Sequence, residues 1–370
     1  MYDMKPPTTA GASEDTSTAS SKEIKPACDS LGFNADGSLL AVGMQVGAVA
    51  AIDTSSGKVK TVVRNDAVGV SCVTFAHHPM QVLYGGRSDN ASLSKRGLVL
   101  LHSLHDNTIV RVFHGHKARI GSIAVHTTMD KFFTASDDGT FRVWDPRSAA
   151  CAAEGAVGSP CRLDVDRESG MVLAVASDRG MLALYDSRKF AEPFKTQQLN
   201  WSGPPQPSGT PVGLHTCAFS GDGKRIAIST ARRGVVQVDS VHLGLEGAFP
   251  VVPIVGCPFA SVDFSSDSSA LLIGTDRGEV LAQSAWQPPP GEDASAFVGS
   301  GAPTPPGGRD PVPPNTAYRH TAPVLAVKAH PTADAFATAG EDCVAIWSPP
   351  SAAAGTEGGV AGGHGGGSTR

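Results

Sequence analysis

A chain of 370 residues that is 41% hydrophobic and 18% charged can bury a sizeable core, and its 42 Gly and 27 Pro suit many tight turns rather than long helices. A net charge of −5 with scattered basic residues gives no general attraction to nucleic acid, so direct sequence-specific nucleic-acid binding is not expected. There is no leader pattern or apolar run of about 18 residues, and the seven cysteines lack a CxxC spacing, which together suggest a soluble intracellular protein with no membrane contact.

Residues 1–24 are a low-complexity arm expected to be disordered. From there a unit recurs. Its first part is LGFNADG (31–37), VTFAHHP (73–79), IAVHTTMD (123–130), LDVDRESG (163–170), CAFSGDG (217–223), VDFSSDS (262–268) and VKAHPTAD (327–334). Each is an alternating run followed by a turn, the signature of a short strand. After it come LLAVGMQVGAVAAID, QVLYGG, FFTASDDGTFRVWD, VLAVASDRGMLALYD, RIAISTARRGVVQVD, ALLIGTDRGEVLAQS and AFATAGEDCVAIW. Most pair a strand of small residues with a Gly- or Asp-bearing turn and a third strand, and the second copy is interrupted before it resumes as GLVLLHSL (97–104). Three strands per unit is therefore the local reading.

A small sheet with two partly apolar faces needs a neighbour on each, so repeated sheets stack. Seven of them closed into a ring predict an all-β, seven-bladed WD-repeat β-propeller over residues 25–350, because radial repetition removes exposed sheet edges. The proline-rich segments 196–213 and 286–320 are predicted to be insertions on the rim, and the Gly-rich stretch 351–370 a disordered tail.

His116, Thr134, Asp138 and Trp144 recur at nearly the same offsets as His320, Thr338, Asp342 and Trp347. A carboxylate, an imidazole, a hydroxyl and an indole N–H satisfy one another in a buried network. The same residue types also make a nucleophilic triad, but their appearance in two blades favours a scaffold role, and no catalytic residue is assigned. The pairs His77/His78 and His114/His116 lack Cys or acidic partners at ligand spacing, so neither a metal nor any other cofactor is expected.

Function is then expected at the surface. The candidate partner-binding residues are Lys117 and Arg119 after the Gly115-His116 turn, Arg142 on a third strand, Arg162 at the start of the fourth unit, and Arg147 and Arg188. The last two close Trp144-Asp145-Pro146-Arg147 and Tyr185-Asp186-Ser187-Arg188, boxes that resemble the adaptor-binding element of cullin-RING ubiquitin ligase substrate receptors. That resemblance supplies an alternative function.

The stretch from Leu101 to Ser148, with SLHDN at 103–107 as its sharpest part, resembles the Swd-two-type WD-repeat subunits of COMPASS histone methyltransferase and transcription-termination phosphatase complexes. The similarity extends over about residues 25–350. It implies a nuclear, non-enzymatic adaptor held by a scaffold subunit of a protein phosphatase one complex or by a histone methyltransferase, and linked to the serine-phosphorylated tail of RNA polymerase II. Members of that family usually begin with an apolar strand that closes the ring. Here the corresponding stretch is AGASEDTSTASS (10–21), so either closure is imperfect or a neighbour or more distant segment supplies the strand, and an unpaired edge there would be a natural site for strand addition by a partner.

Overall fold

In the computed structural model, the described residues are 28–65, 69–87, 97–199, 211–231, 234–249, 261–275, 277–284, 315–320, 322–341 and 343–348. They form seven antiparallel sheets and, among themselves, no helix. The first blade is β1 to β4 (Cys28–Phe33, Leu39–Met44, Ala48–Asp53, Val59–Arg64) and the second β5 to β8 (Val70–Phe75, Gln81–Gly86, Val99–Ser103, Thr108–Phe113). The third is β9 to β12 (Ile120–Val125, Phe132–Ser136, Thr140–Trp144, Cys151–Ala156) and the fourth β13 to β16 (Cys161–Val165, Val172–Ser177, Met181–Asp186, Lys195–Gln198). The fifth is β17 to β20 (Leu214–Phe219, Arg225–Thr230, Gly234–Asp239, Leu245–Phe249) and the sixth β21 to β24 (Val262–Phe264, Ala270–Gly274, Glu279–Ser284, Asn315–Arg319). The seventh has three strands among the described residues, β25 to β27 (Val324–Ala329, Phe336–Gly340, Val344–Trp347).

The chain is a seven-bladed β-propeller. Each pair of neighbouring blades shares an apolar cluster, as Phe113 of the second blade does with Phe132 and Trp144 of the third. The ring closes in the same way, with Leu31, Leu40, Val42 and Ile52 of the first blade packed on Ala326, Ala337, Ala339 and Val344 of the seventh. The His330 ring lies 5.1 Å from that of Phe33 and its Nε2 meets the Gly37 carbonyl at 3.2 Å. Gly37 sits at φ +75°, and a Cβ there would lie 2.0 Å from the imidazole, so this turn requires glycine on both counts.

Two sequence expectations need correction. Six of the seven units carry a fourth, outer strand, not three strands in all. The outer strands escape a hydrophobicity reading because one or both of their faces meet solvent, as in β12 (CAAEGA) and β16 (KTQQ). The proline-rich segments are also not wholly loop, since β16 runs into the first and β24 lies near the end of the second. Residues 1–24, 200–210, 286–314 and 351–370, which hold the expected arm, the greater part of both insertions and the tail, lie outside the described residues, as does the stretch 10–21.

Candidate functional site

Antiparallel strands alternate direction, so each blade places its β-turns on two faces. One face carries the turns between second and third strands together with the connections between blades, and is called the upper face below. The lower face carries the remaining turns. The inner strands β1, β5, β9, β13, β17, β21 and β25 surround a central channel with a cavity of about 310 Å³, lined among others by Asp29, Ser30, Arg87, Arg119, Arg162, His215 and Glu341.

The repeated polar set sits inside two blades. In the third, His116 Nδ1 lies 3.2 Å from Asp138 Oδ2, and His116 Nε2 lies 2.8 Å from Thr134 Oγ1. The Trp144 indole N–H donates to that same hydroxyl oxygen at 2.8 Å. A consistent proton pattern is Trp144 to Thr134, Thr134 to His116 Nε2, and His116 Nδ1–H to Asp138. Burial opposes ionisation of Asp138, but bonds from His116, Thr140 and the Lys117 and Thr140 main chain outweigh it and hold the carboxyl well below the usual range. In the seventh blade His320 Nε2 meets Thr338 Oγ1 at 2.5 Å and Trp347 donates to it at 2.8 Å. Asp342 lies outside the described residues, and Cys343 Sγ is 3.1 Å from His320 Nδ1. Thr134 and Thr338 have no solvent exposure, which leaves no path for a substrate to reach their hydroxyls.

The six basic candidates separate. Arg119 and Arg162 come together at the upper mouth of the channel. Lys117 is exposed on the connection beside them, its main-chain N–H held by Asp138 at 2.8 Å. Arg142 faces away along the third blade and pairs with Glu154 at 2.8 Å. Arg147 and Arg188 belong to the lower face, where Arg147 pairs with Asp130 at 3.0 Å and Arg188 with its own blade's Asp186 at 2.9 Å.

Arg162 is anchored from several sides. Its Nη1 donates to Asp137 and to the Cys161 carbonyl, both at 2.8 Å, and its Nε to the His215 carbonyl at 3.1 Å. Burial, reinforced by Arg162 and Arg119, pulls His215 down to about 4, so its imidazole is neutral at physiological pH. Arg87, which sequence reasoning missed, pairs with Asp29, and Gln45 donates to the same carboxylate at 2.6 Å. Aligning the units by phase would have found it, since Arg87 follows the second strand of its blade as Asp137 follows the second strand of the third. Among the described residues no cluster of His, Cys, Asp and Glu is placed to hold a metal ion, and Cys72, Cys151, Cys161 and Cys217 are free thiols.

Known proteins show the same pattern. The WD domain, G-beta repeat family matches residues 107–145, which hold most of the third blade. Protein ANTHESIS POMOTING FACTOR 1 of Arabidopsis thaliana is 27% identical over 254 residues, covering 68% of this chain and 73% of its own. WD repeat-containing protein 82 of Drosophila melanogaster is 29% identical over 236 residues, 62% of this chain and 68% of its own. Set1 complex component swd2 of Schizosaccharomyces pombe is 28% identical over 203 residues, 54% of this chain and 53% of its own. With the SLHDN element on the turn between the third and fourth strands of the second blade, the chain is a WD-repeat propeller similar to Swd-two-type WD-repeat subunits.

Proposed function

We propose that this protein is a non-catalytic nuclear scaffold subunit that links a chromatin-modifying complex, or a transcription-termination complex built on protein phosphatase one, to RNA polymerase II. The observation that carries the reading is the similarity to a Set1 complex component on a propeller whose buried His, Thr and Asp groups are spent on holding strands together. The scaffold subunit of the phosphatase or methyltransferase complex is the principal partner, and the phosphorylated polymerase tail a second. The upper face is the better docking surface for an anionic partner, because Arg119 and Arg162 line the channel there and the exposed Lys117 lies on the connection that leads to Arg119. Arg142 belongs to this set by sequence but is engaged by Glu154.

The cullin-RING receptor alternative relies on Arg147 and Arg188 reaching a partner carboxylate. Both already have a carboxylate within their own blade, which disfavours that use. Affinity purification of the tagged full chain from nuclear extract, with crosslinking and mass spectrometry, separates the two. Methyltransferase, phosphatase or polymerase subunits are the expected partners, and a cullin with its propeller adaptor in their place would overturn the proposal.

A further inference from the structure

Three guanidinium groups from three consecutive blades converge on the upper end of the channel, and only two of them have a carboxylate. Arg87 of the second blade pairs with Asp29, and Arg162 of the fourth pairs with Asp137. Arg119 of the third lies between them. Its Nε is buried without a hydrogen-bond partner, and no ion pair holds its side chain among the described residues. Burial and the nearby Arg162 and Arg87 pull the guanidinium below its ordinary value, Asp137 opposing them in part. A buried donor left unmade carries a free-energy cost that a bound acceptor removes. A second unpartnered polar atom, the buried Ser30 hydroxyl, lines the same cavity.

The rest of the rim narrows the identity of that acceptor. Asp29 and Asp137 already stand among the arginines and repel a dianion more than a monoanion. A phosphate group carries about −1.5 to −2 charges at neutral pH, whereas one unmatched guanidinium calls for one negative charge. Glu341 lines the cavity from the seventh blade and is exposed, an acceptor placed for a main-chain N–H. Donors on one side of a narrow mouth and an acceptor on the other fit a peptide, which presents both an acidic side chain and amide N–H groups. A cavity of about 310 Å³ is at the small end of the range for ligand sites and admits a side chain, not a folded domain.

We propose that the upper mouth of the channel is a subsite for a single Asp or Glu side chain on an extended segment of a partner protein, bound through Arg119 and flanked by Arg87 and Arg162. The subsite rests on the reading of the propeller as a docking platform, and not on which complex uses it. The anchor engages Arg119 by charge-assisted hydrogen bonds, which are shorter and stronger than neutral ones and geometrically selective at a guanidinium.

The Arg119 Nε–H resonance of the isotope-labelled full chain reports directly on the site. We expect N-acetyl-Ala-Asp-Ala-amide to shift it saturably, with a half-saturation concentration at least tenfold below that of acetate, and the Asn counterpart to leave it unmoved. Followed instead at the Arg162 Nε–H resonance, which lines the same cavity, Arg119→Gln should weaken the Asp peptide at least tenfold and Arg147→Gln should not. Acetate binding as well as the Asp peptide would overturn the peptide assignment, tighter saturation by inorganic phosphate would overturn the carboxylate, and a linear drift with all four probes would overturn the site. The titration of the parent protein needs no variant to fold. Recovery of methyltransferase or phosphatase subunits by the tagged chain tests the platform reading separately, so failure of one is distinguishable from failure of the other.

Discussion

Thr134 is the residue on which the third blade's polar network turns. Its hydroxyl accepts from Trp144 and serves His116, and all three side chains are buried. Valine has nearly the same shape but no hydroxyl, so Thr134→Val leaves an indole N–H and an imidazole nitrogen without partners in a dry site. The expected loss is about 2 kcal/mol, within the cost of orphaning buried polar groups. Urea denaturation of parent and variant measures it, and an unchanged midpoint would show that the Asp138, His116, Thr134 and Trp144 chain adds nothing to stability. The repeated spacing made this set visible in the sequence, because the same offsets occur in the seventh blade. Arg119 is the contrary case. It stood out only as one of six basic residues, and nothing in a linear chain distinguishes an arginine with a carboxylate partner, such as Arg147, from one without.

Among the elements, the second strand of each blade is the one whose composition is most constrained. Its near-terminal position holds Gly43, Gly85, Ala135, Ala176, Ser229, Gly274 and Ala339, each of them buried. The inner strand of the next blade explains this. A Cβ on Gly85 would lie 2.5 Å from the Cβ of Ile120, and one on Gly274 would lie 2.7 Å from Val324 Cγ1. Blades approach each other across this position, so any larger side chain pushes them apart. Gly85→Val is expected to destabilise the fold by about 1–3 kcal/mol through overpacking against Ile120, while the same substitution at exposed Gly158, where an added Cβ meets nothing within 4 Å, is opposed only by its φ of +71°. Thermal melting of the two variants checks the order, and a Gly85→Val protein as stable as the parent would refute the packing account. The small-residue strands were evident in the sequence. That their smallness serves contact with the next blade was not, because the contacting residues are far away along the chain.

At the scale of the whole ring, one ion cluster joins blades that are not neighbours. Asp263, buried on β21 of the sixth blade, accepts from Arg167 of the fourth at 2.7 Å and pairs with Lys328 of the seventh at 3.1 Å. Arg167 also reaches Asp164 at 3.7 Å. Asp263 further accepts the Ala329 main-chain N–H at 3.1 Å. Asp263→Ala leaves both cations without their shared partner, and the expected cost is about 3 kcal/mol, typical of breaking a buried pair from one side. The pH dependence has a definite sign. Burial opposes ionisation of Asp263, but Arg167 and Lys328 override it and hold the carboxyl below its ordinary value. On acidification the unfolded chain therefore takes up the proton first. The stability gap between parent and Asp263→Ala should be constant above about pH 5 and close as pH falls below about 4, the ordinary carboxylate value, toward the lower folded one. A gap that widened on acidification would contradict the assignment.

By itself, the sequence determined the repeat, its seven copies and hence the propeller, because each strand's alternation and each turn's Gly or Asp are local properties written over a few residues. It determined the network of His116, Thr134, Asp138 and Trp144 by repetition. The outer strands, the closing contact of Gly37 with His330, the bridge through Asp263 and the unmatched charge of Arg119 were decided only by the tertiary structure. Each depends on which residues of distant blades meet, and ring closure, not local preference, brings them together.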